Sequence, residues 1–328
     1  NIQATVEGAM NRNGMNKGAV VVLDAQTEDV LAMSSRPNYD QNQPIAGDQY
    51  PVNRALKADF PGSVFKSVIA AAALESGVVK PTDKFECPGH IDIGDGTLNC
   101  WTTHGTITAE EAFAESCNVA FAQMAMKLGR EKIDEYGKKF GLGSPVGLAL
   151  DGREQFYGED KGSIFLKDGS SDRFLANSGI GQEDVRMSPL QAAHLMAVVA
   201  NGGESGTPRL VESLHTSDGL LYKDFQTPEK TRVIDKVTAY TLKKWMTDVV
   251  SAEKGTAHLL ANAAMPAAGK TGTAQTGDPN ANHQWFAGFA PVDKPKYIIV
   301  VMAESVPQSQ GRDTEKVALQ IINSLPQS

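Results

Sequence analysis

Apolar positions follow two rhythms along the chain. Val64, Phe65, Val68, Ile69, Ala70 to Ala73 and Leu74 form an alanine-rich run between Pro61-Gly62 and Gly77. Proline just ahead of a start and glycine just past an end punctuate helices. The run therefore predicts a buried helix with Ser63 at its N-terminus and Lys66 one turn later on the same face. Helical spacing over Ile133 to Phe140, Pro189 to Ala200 and Thr238 to Val250 predicts three more. Thr108 followed by Glu111 reads as a capping-box start, and further helices are expected at about Ile2 to Asn11 and from about Asp313. A second rhythm, of strands, marks a hairpin over Ala19 to Ser35 and runs around Ala268 to Gln275, Trp285 to Ala290 and Tyr297 to Glu304.

These elements group by position. Residues of about 1–39 and 265–328 predict an antiparallel α/β lobe, and about 40–264 predict an all-helical one. The expected fold class is α/β of the α+β kind, an antiparallel sheet flanked by helices plus the helical lobe, with a cleft between the two. His194, on an apolar helix face near Met187 and Met196, reads as a core residue.

Three short strings carry candidate chemistry. Ser63-Val64-Phe65-Lys66 offers a serine nucleophile at a positive helix end, with a lysine at a spacing that reaches the hydroxyl. A lysine in a dry site loses its charge readily and can take the serine proton. A second Ser-x-x-Lys, Ser251 to Lys254, precedes Gly255 and reads as a solvated helix end. Ser116-Cys117-Asn118 falls at a break between helical stretches, where a hydroxyl and an amide can point at one site; alone, it reads as a helix cap. In Lys270-Thr271-Gly272-Thr273, alternation puts Thr271 and Thr273 on one face, and with Lys270 they suggest a carboxylate-binding strand edge. Alone, this is ordinary edge-strand sequence. Taken together in this order, the strings describe an acyl-transfer site.

The strings resemble the motifs of the penicillin-binding proteins, serine D,D-transpeptidases, and of their β-lactamase relatives. The likeness extends from about Gly18 to about Glu304 and is to the class B, monofunctional group. It includes Gly18 to Asp40, Gly179-Ile180-Gly181-Gln182, Ser188 to Ala193, Ala200 to Gly203, Lys254-Gly255-Thr256-Ala257 and His283 to Pro291. One departure is Thr27-Glu28-Asp29, where the family usually turns its first hairpin with glycine.

The resemblance implies that Ser63 attacks the penultimate D-alanine carbonyl of a cell-wall stem peptide and that Lys66 accepts its proton. It implies that Ser116 relays that proton and that Asn118 holds Lys66 and the donor peptide. Lys270, Thr271, Gly272 and Thr273 would form the carboxylate-binding edge, and the backbone N–H groups of Ser63 and Thr273 the oxyanion site. Implied partners are peptidoglycan stem peptides, β-lactam antibiotics and membrane glycosyltransferases, with no cofactor, metal or nucleic acid. The implied location is the outer face of the bacterial cell membrane. Because the family usually carries an N-terminal anchor and a pedestal domain, the chain is expected to be an excised catalytic domain. A β-lactamase and a non-catalytic β-lactam sensor use the same strings. The first needs a deacylating base, and neither Glu154 nor Glu159 has a recognisable setting.

Composition narrows the partners. With 328 residues and 41% apolar content the chain can bury a large core, and a net charge of −8 argues against nucleic acid and anionic membrane surfaces. The longest apolar stretches, Val68 to Leu74 and Tyr297 to Ala303, are shorter than the ~20 residues of a spanning helix. Cys87 and Cys100 lie in a glycine- and proline-rich loop, where a disulfide is expected. With His90 and His104 they also suggest a metal, but the spacing matches no common zinc pattern. Cys117 is expected to face the core.

Overall fold

The computed structural model describes residues 2–40, 42, 52–147, 149–150, 153–166, 171–307, 311 and 313–327. Its centre is a five-stranded antiparallel sheet built from both ends of the chain. The strands are β1 (Gly18–Asp24), β2 (Val30–Arg36), β3 (Ala268–Gln275), β4 (Ala281–Ala290) and β5 (Tyr297–Pro307), in the order β3-β4-β5-β1-β2. Val20 pairs with Val301 and Thr271 with Phe286. β1 and most of β5 are buried along both faces, which is why they read as unbroken Val and Ile runs without alternation.

Helices cover the sheet. α1 (Ile2–Arg12) and α8 (Asp313–Ser324) pack on each other and on the sheet. α6 (Pro189–Ala200) and α7 (Lys236–Ser251) do the same, with α2 (Lys66–Glu75) against α7. α6 is buried at every position, and its start is fixed by the capping box of Ser188 and Gln191. α3 (Ala109–Ala114) begins with the expected Thr108–Glu111 box. α4 (Asn118–Lys139) is interrupted at Gly129, whose φ of 73° breaks the helix, and α5 is Asp172–Gly179.

The middle of the chain is not all helical. Among the described residues it holds five short antiparallel pairs: 84–87 with 105–108, 90–93 with 96–99, 149–150 with 153–154, 204–205 with 231–232, and 213–215 with 221–224. Each strand has two to four residues, too few to register as a period-2 pattern. Among the described residues no helix is long and apolar enough to cross a membrane.

The glycine-free hairpin turn has its own solution. Glu28 takes a φ of 60°, and its buried carboxylate accepts from Ser205 Oγ at 2.8 Å and from Gly206 N–H, and faces His194 Nδ1 at 3.4 Å. His194 is thus a partnered core residue, with Met187 and Met196 buried as expected.

Candidate active site

The Ser63 segment is held from several sides by backbone. Gly62 has a φ of 51°, and a Cβ there would lie 2.5 Å from Thr273 O, so only glycine permits this approach to β3. Gly62 N–H donates to Gly181 O at 3.2 Å, which explains why Gly179 to Gln182 belongs with the site. Gly272 admits Pro61 O, 2.6 Å from its notional Cβ. Trp285 Nε1 donates to Phe60 O at 3.0 Å, and His283 pairs with Asp59 at 3.0 Å. Ser63 itself lies in a 3-10 turn, Gly62–Phe65, and α2 proper begins at Lys66.

Lys66 is fully buried and reaches the second string. Its Nζ donates to Ser116 O at 2.8 Å, to Ser116 Oγ at 3.3 Å and to Asn118 Oδ1 at 2.8 Å. Among the described residues it makes no hydrogen bond to Ser63, contrary to the expected direct contact; such bonds often tighten only with substrate in place. Burial pulls Lys66 down to about 8, against the sulfurs of Cys117 and Cys100, which favour its charge.

Ser116 occupies an unusual backbone position. α3 closes in a Schellman motif, with Ser116 N–H on Phe113 O and Cys117 N–H on Ala112 O. Ser116 therefore sits where glycine is usual, at a φ of 57°. Ser116 thus closes α3 through its backbone while its Oγ lies 3.3 Å from Lys66 Nζ. Cys117 then caps α4, and Asn118 Nδ2 donates to Asn99 O at 3.0 Å.

On β3, Thr271 and Thr273 line the cleft together with Gly272. Lys270 is fully buried, its Nζ donating to Thr271 O at 3.3 Å and lying over the Phe113 ring, so a buried cation accompanies the two hydroxyls. Burial and the nearby Lys66 charge push Lys270 well down, against the opposing carboxylate of Glu315. Thr271 Oγ1 donates to Thr256 Oγ1 at 2.6 Å, and Thr256 N–H donates to Ala114 O at 3.2 Å, which ties the third string to the helix before the second.

These groups surround a cavity of about 470 Å³ lined by Ser63, Ser116, Asn118, Thr271 and Thr273. The strings also left out residues of the rim. Trp101, 61% exposed, lines the cavity and donates its indole N–H to Glu115 O at 3.0 Å; Glu315 enters from α8. No pattern in the sequence singles out either. Ser251 ends α7 and is exposed with Lys254, as expected. Glu159 spends its carboxylate on the N–H groups of Val146 and Gly147, away from the cleft, and the side chain of Glu154 lies outside the described residues.

The expected disulfide is absent: Cys87, Cys100 and Cys117 are all free thiols. Cys100 Sγ lies 3.9 Å from Cys117 Sγ and 3.5 Å from His104 Nδ1, because the chain brings a third sulfur and an imidazole to the same point.

Comparison with known proteins fixes the family. The penicillin binding protein transpeptidase domain matches residues 18–323. The chain belongs to the penicillin-binding protein transpeptidase family. Among curated members, penicillin-binding protein PbpB of Mycolicibacterium smegmatis is 35% identical over 321 residues, covering 93% of this chain and 48% of that protein. Peptidoglycan D,D-transpeptidase MrdA of Haemophilus influenzae is 31% identical over 337 residues, covering 88% and 50%. The chain thus spans about half the length of these relatives. Among solved members, the penicillin G acyl-enzyme complex of penicillin-binding protein A from M. tuberculosis superposes with a TM-score of 0.83. Its identity is 27%, with coverage of 98% of this chain and 78% of that one.

Proposed function

We propose that this chain is a peptidoglycan D,D-transpeptidase domain that works through an acyl-serine and is trapped by β-lactams. The observation that carries the reading is a buried Lys66 bonded to Ser116 and Asn118 beneath a cavity that opens on Ser63, Thr271 and Thr273.

In this assignment Ser63 Oγ attacks the penultimate D-alanine carbonyl of a stem peptide and its proton passes to neutral Lys66. The C–N bond to the terminal D-alanine then breaks as Ser116 hands a proton to the leaving amine, and the acyl group stays on Ser63. An amine of a second stem peptide reverses the sequence and regenerates the serine. Thr271 and Thr273 take the substrate carboxylate, and Lys270 acts through charge from below. The N–H groups of Ser63 and Thr273 hold the developing oxyanion, a contact of the kind worth about a hundred- to a thousandfold in rate. A penicillin presents its ring amide to the same serine and leaves slowly.

Membrane glycosyltransferases as partners, an extracytoplasmic location and the division into a sheet lobe of about 1–39 and 265–328 with a lobe of about 40–264 belong to the same proposal. The test is D-alanine release from a pentapeptide ending in D-Ala-D-Ala, with an acceptor amine present. Release with cross-linked product supports the assignment. Rapid turnover of penicillin without peptide cross-linking would move it to a β-lactamase, and a stable penicillin adduct with no D-alanine release to a sensor.

A further inference from the structure

Next to the cleft, four potential ligands converge that the proposed reaction does not use. Cys87 Sγ, Cys100 Sγ, His104 Nδ1 and Cys117 Sγ all lie within 4.8 Å of one another. The individual separations are 3.4 Å for Cys87–His104, 3.5 Å for Cys100–His104 and 3.9 Å for Cys100–Cys117. A tetrahedral zinc ion with ordinary Zn–S and Zn–N bonds sets its ligands roughly 3.8 Å apart for two sulfurs and roughly 3.5 Å for sulfur and nitrogen. We infer that Cys87, Cys100, His104 and Cys117 bind a structural zinc ion that clamps the Ser116-Cys117-Asn118 turn in place.

The surroundings have the features of a metal site. Cys87 and Cys117 are buried, and the His104 side chain is fully so. His104 Nε2 has no hydrogen bond among the described residues and faces Glu115 Oε2 at 3.9 Å, the outer carboxylate that commonly orients a metal-bound imidazole. Asn118 N–H donates to Cys100 Sγ at 3.2 Å and Ala120 N–H to Cys117 Sγ at 3.4 Å, bonds that suit thiolate ligands. Three sulfurs and one nitrogen fill four positions, so the ion has no open position and takes no part in the chemistry. Pairing any two of the cysteines as a disulfide would leave the third sulfur and the ring without a shared role.

The spacing C-x12-C-x3-H-x12-C matches no common zinc pattern, so the sequence alone does not reveal the site. The ligands come from the end of strand 84–87, the residue after strand 96–99, the residue before strand 105–108, and the N-cap of α4. Folding alone assembles them. The consequence reaches the cleft because Cys117 separates Ser116 from Asn118, the two partners of Lys66. Cys100 is flanked by Asn99, which holds Asn118, and by Trp101 on the rim.

The site is tested on the whole chain, stripped of metal under reducing conditions and titrated with Zn²⁺ against a competing chelator. One equivalent should bind, with affinity lowered about a hundredfold or more in Cys87→Ser and in His104→Gln, and about tenfold in Glu115→Gln. Co²⁺ in place of Zn²⁺ should give thiolate charge-transfer absorption and the intense visible bands of a tetrahedral site, a readout on the unmutated chain should a variant fail to fold. No bound equivalent, a Co²⁺ spectrum without thiolate bands, or a Cys87→Ser variant of unchanged affinity would overturn the site. The clamping role rests additionally on the proposed function: stripping zinc should slow fluorescent-penicillin acylation at least tenfold and its return restore the rate. An unchanged rate in the stripped, folded chain would overturn that role while leaving the metal stoichiometry to judge the site.

Discussion

The chain contains the pattern Ser-x-x-Lys twice, and the two copies differ in everything the pattern does not specify. Ser63 lies in the turn that leads into α2 and Lys66 begins the helix, the lysine fully buried and its Nζ held by Ser116 and Asn118. Ser251 ends α7 and Lys254 follows three residues later, both exposed to solvent. The difference teaches that a Ser-x-x-Lys pattern supplies only the functional groups. Desolvation brings the lysine down to about 8, and backbone contacts at Gly62, Gly181 and Gly272 fix where the serine stands.

The comparison breaks most visibly at the two serines. Ser63→Ala should abolish covalent labelling by fluorescent penicillin, while Ser251→Ala should label like the parent; the reverse pattern would exchange the two sites. The lysines give the next effect. Lys66→Ala should slow acylation by about a hundred- to ten-thousandfold, as measured by stopped-flow labelling. Lys254→Ala should leave the rate alone, and equal effects would remove burial as the deciding difference.

A smaller effect separates them by pH. A base must be neutral to accept a proton, and Lys66, held at about 8 among Cys100, Cys117 and Lys270, gains its neutral form as pH rises through that value. Acylation should therefore increase about tenfold from pH 7 to a plateau above pH 9. A flat profile would show that Lys66 does not limit the step. The least effect is one of stability with opposite signs. Ser116→Gly relieves a positive φ and should add about 1 kcal/mol by urea denaturation, even as it slows acylation. Ser251→Gly removes a better helix former and should cost about 0.5–1 kcal/mol.

What was legible in the sequence follows the range of the forces involved. Local signals located correctly the Pro61-Gly62 start, the Thr108 capping box, the Pro189 to Ala200 helix and the sheet strands, because each depends on residues a few positions apart. Membership in the family was legible because its three strings keep their order. The middle of the chain was read as too helical, since strands of two to four residues leave no period to detect. Lys270 reads as part of an exposed strand edge with Thr271 and Thr273, whereas its side chain is fully buried beside Thr271 O, a depth that strand spacing alone does not reveal. Ser116 alone reads as a helix cap, and its αL conformation, which no local pattern announces, closes α3 and brings its Oγ to Lys66. Cys87, Cys100, His104 and Cys117 carried no local signature at all, because only tertiary packing gathers them.

The central claim is that burial and second-string contacts select Ser63 as the nucleophile. Its most direct test is peptide-mapped mass spectrometry of the chain incubated with penicillin G and followed over hours. The account predicts a single adduct on the peptide containing Ser63 that persists through the time course. An adduct on Ser251, or an intact chain that never gains mass, would contradict it.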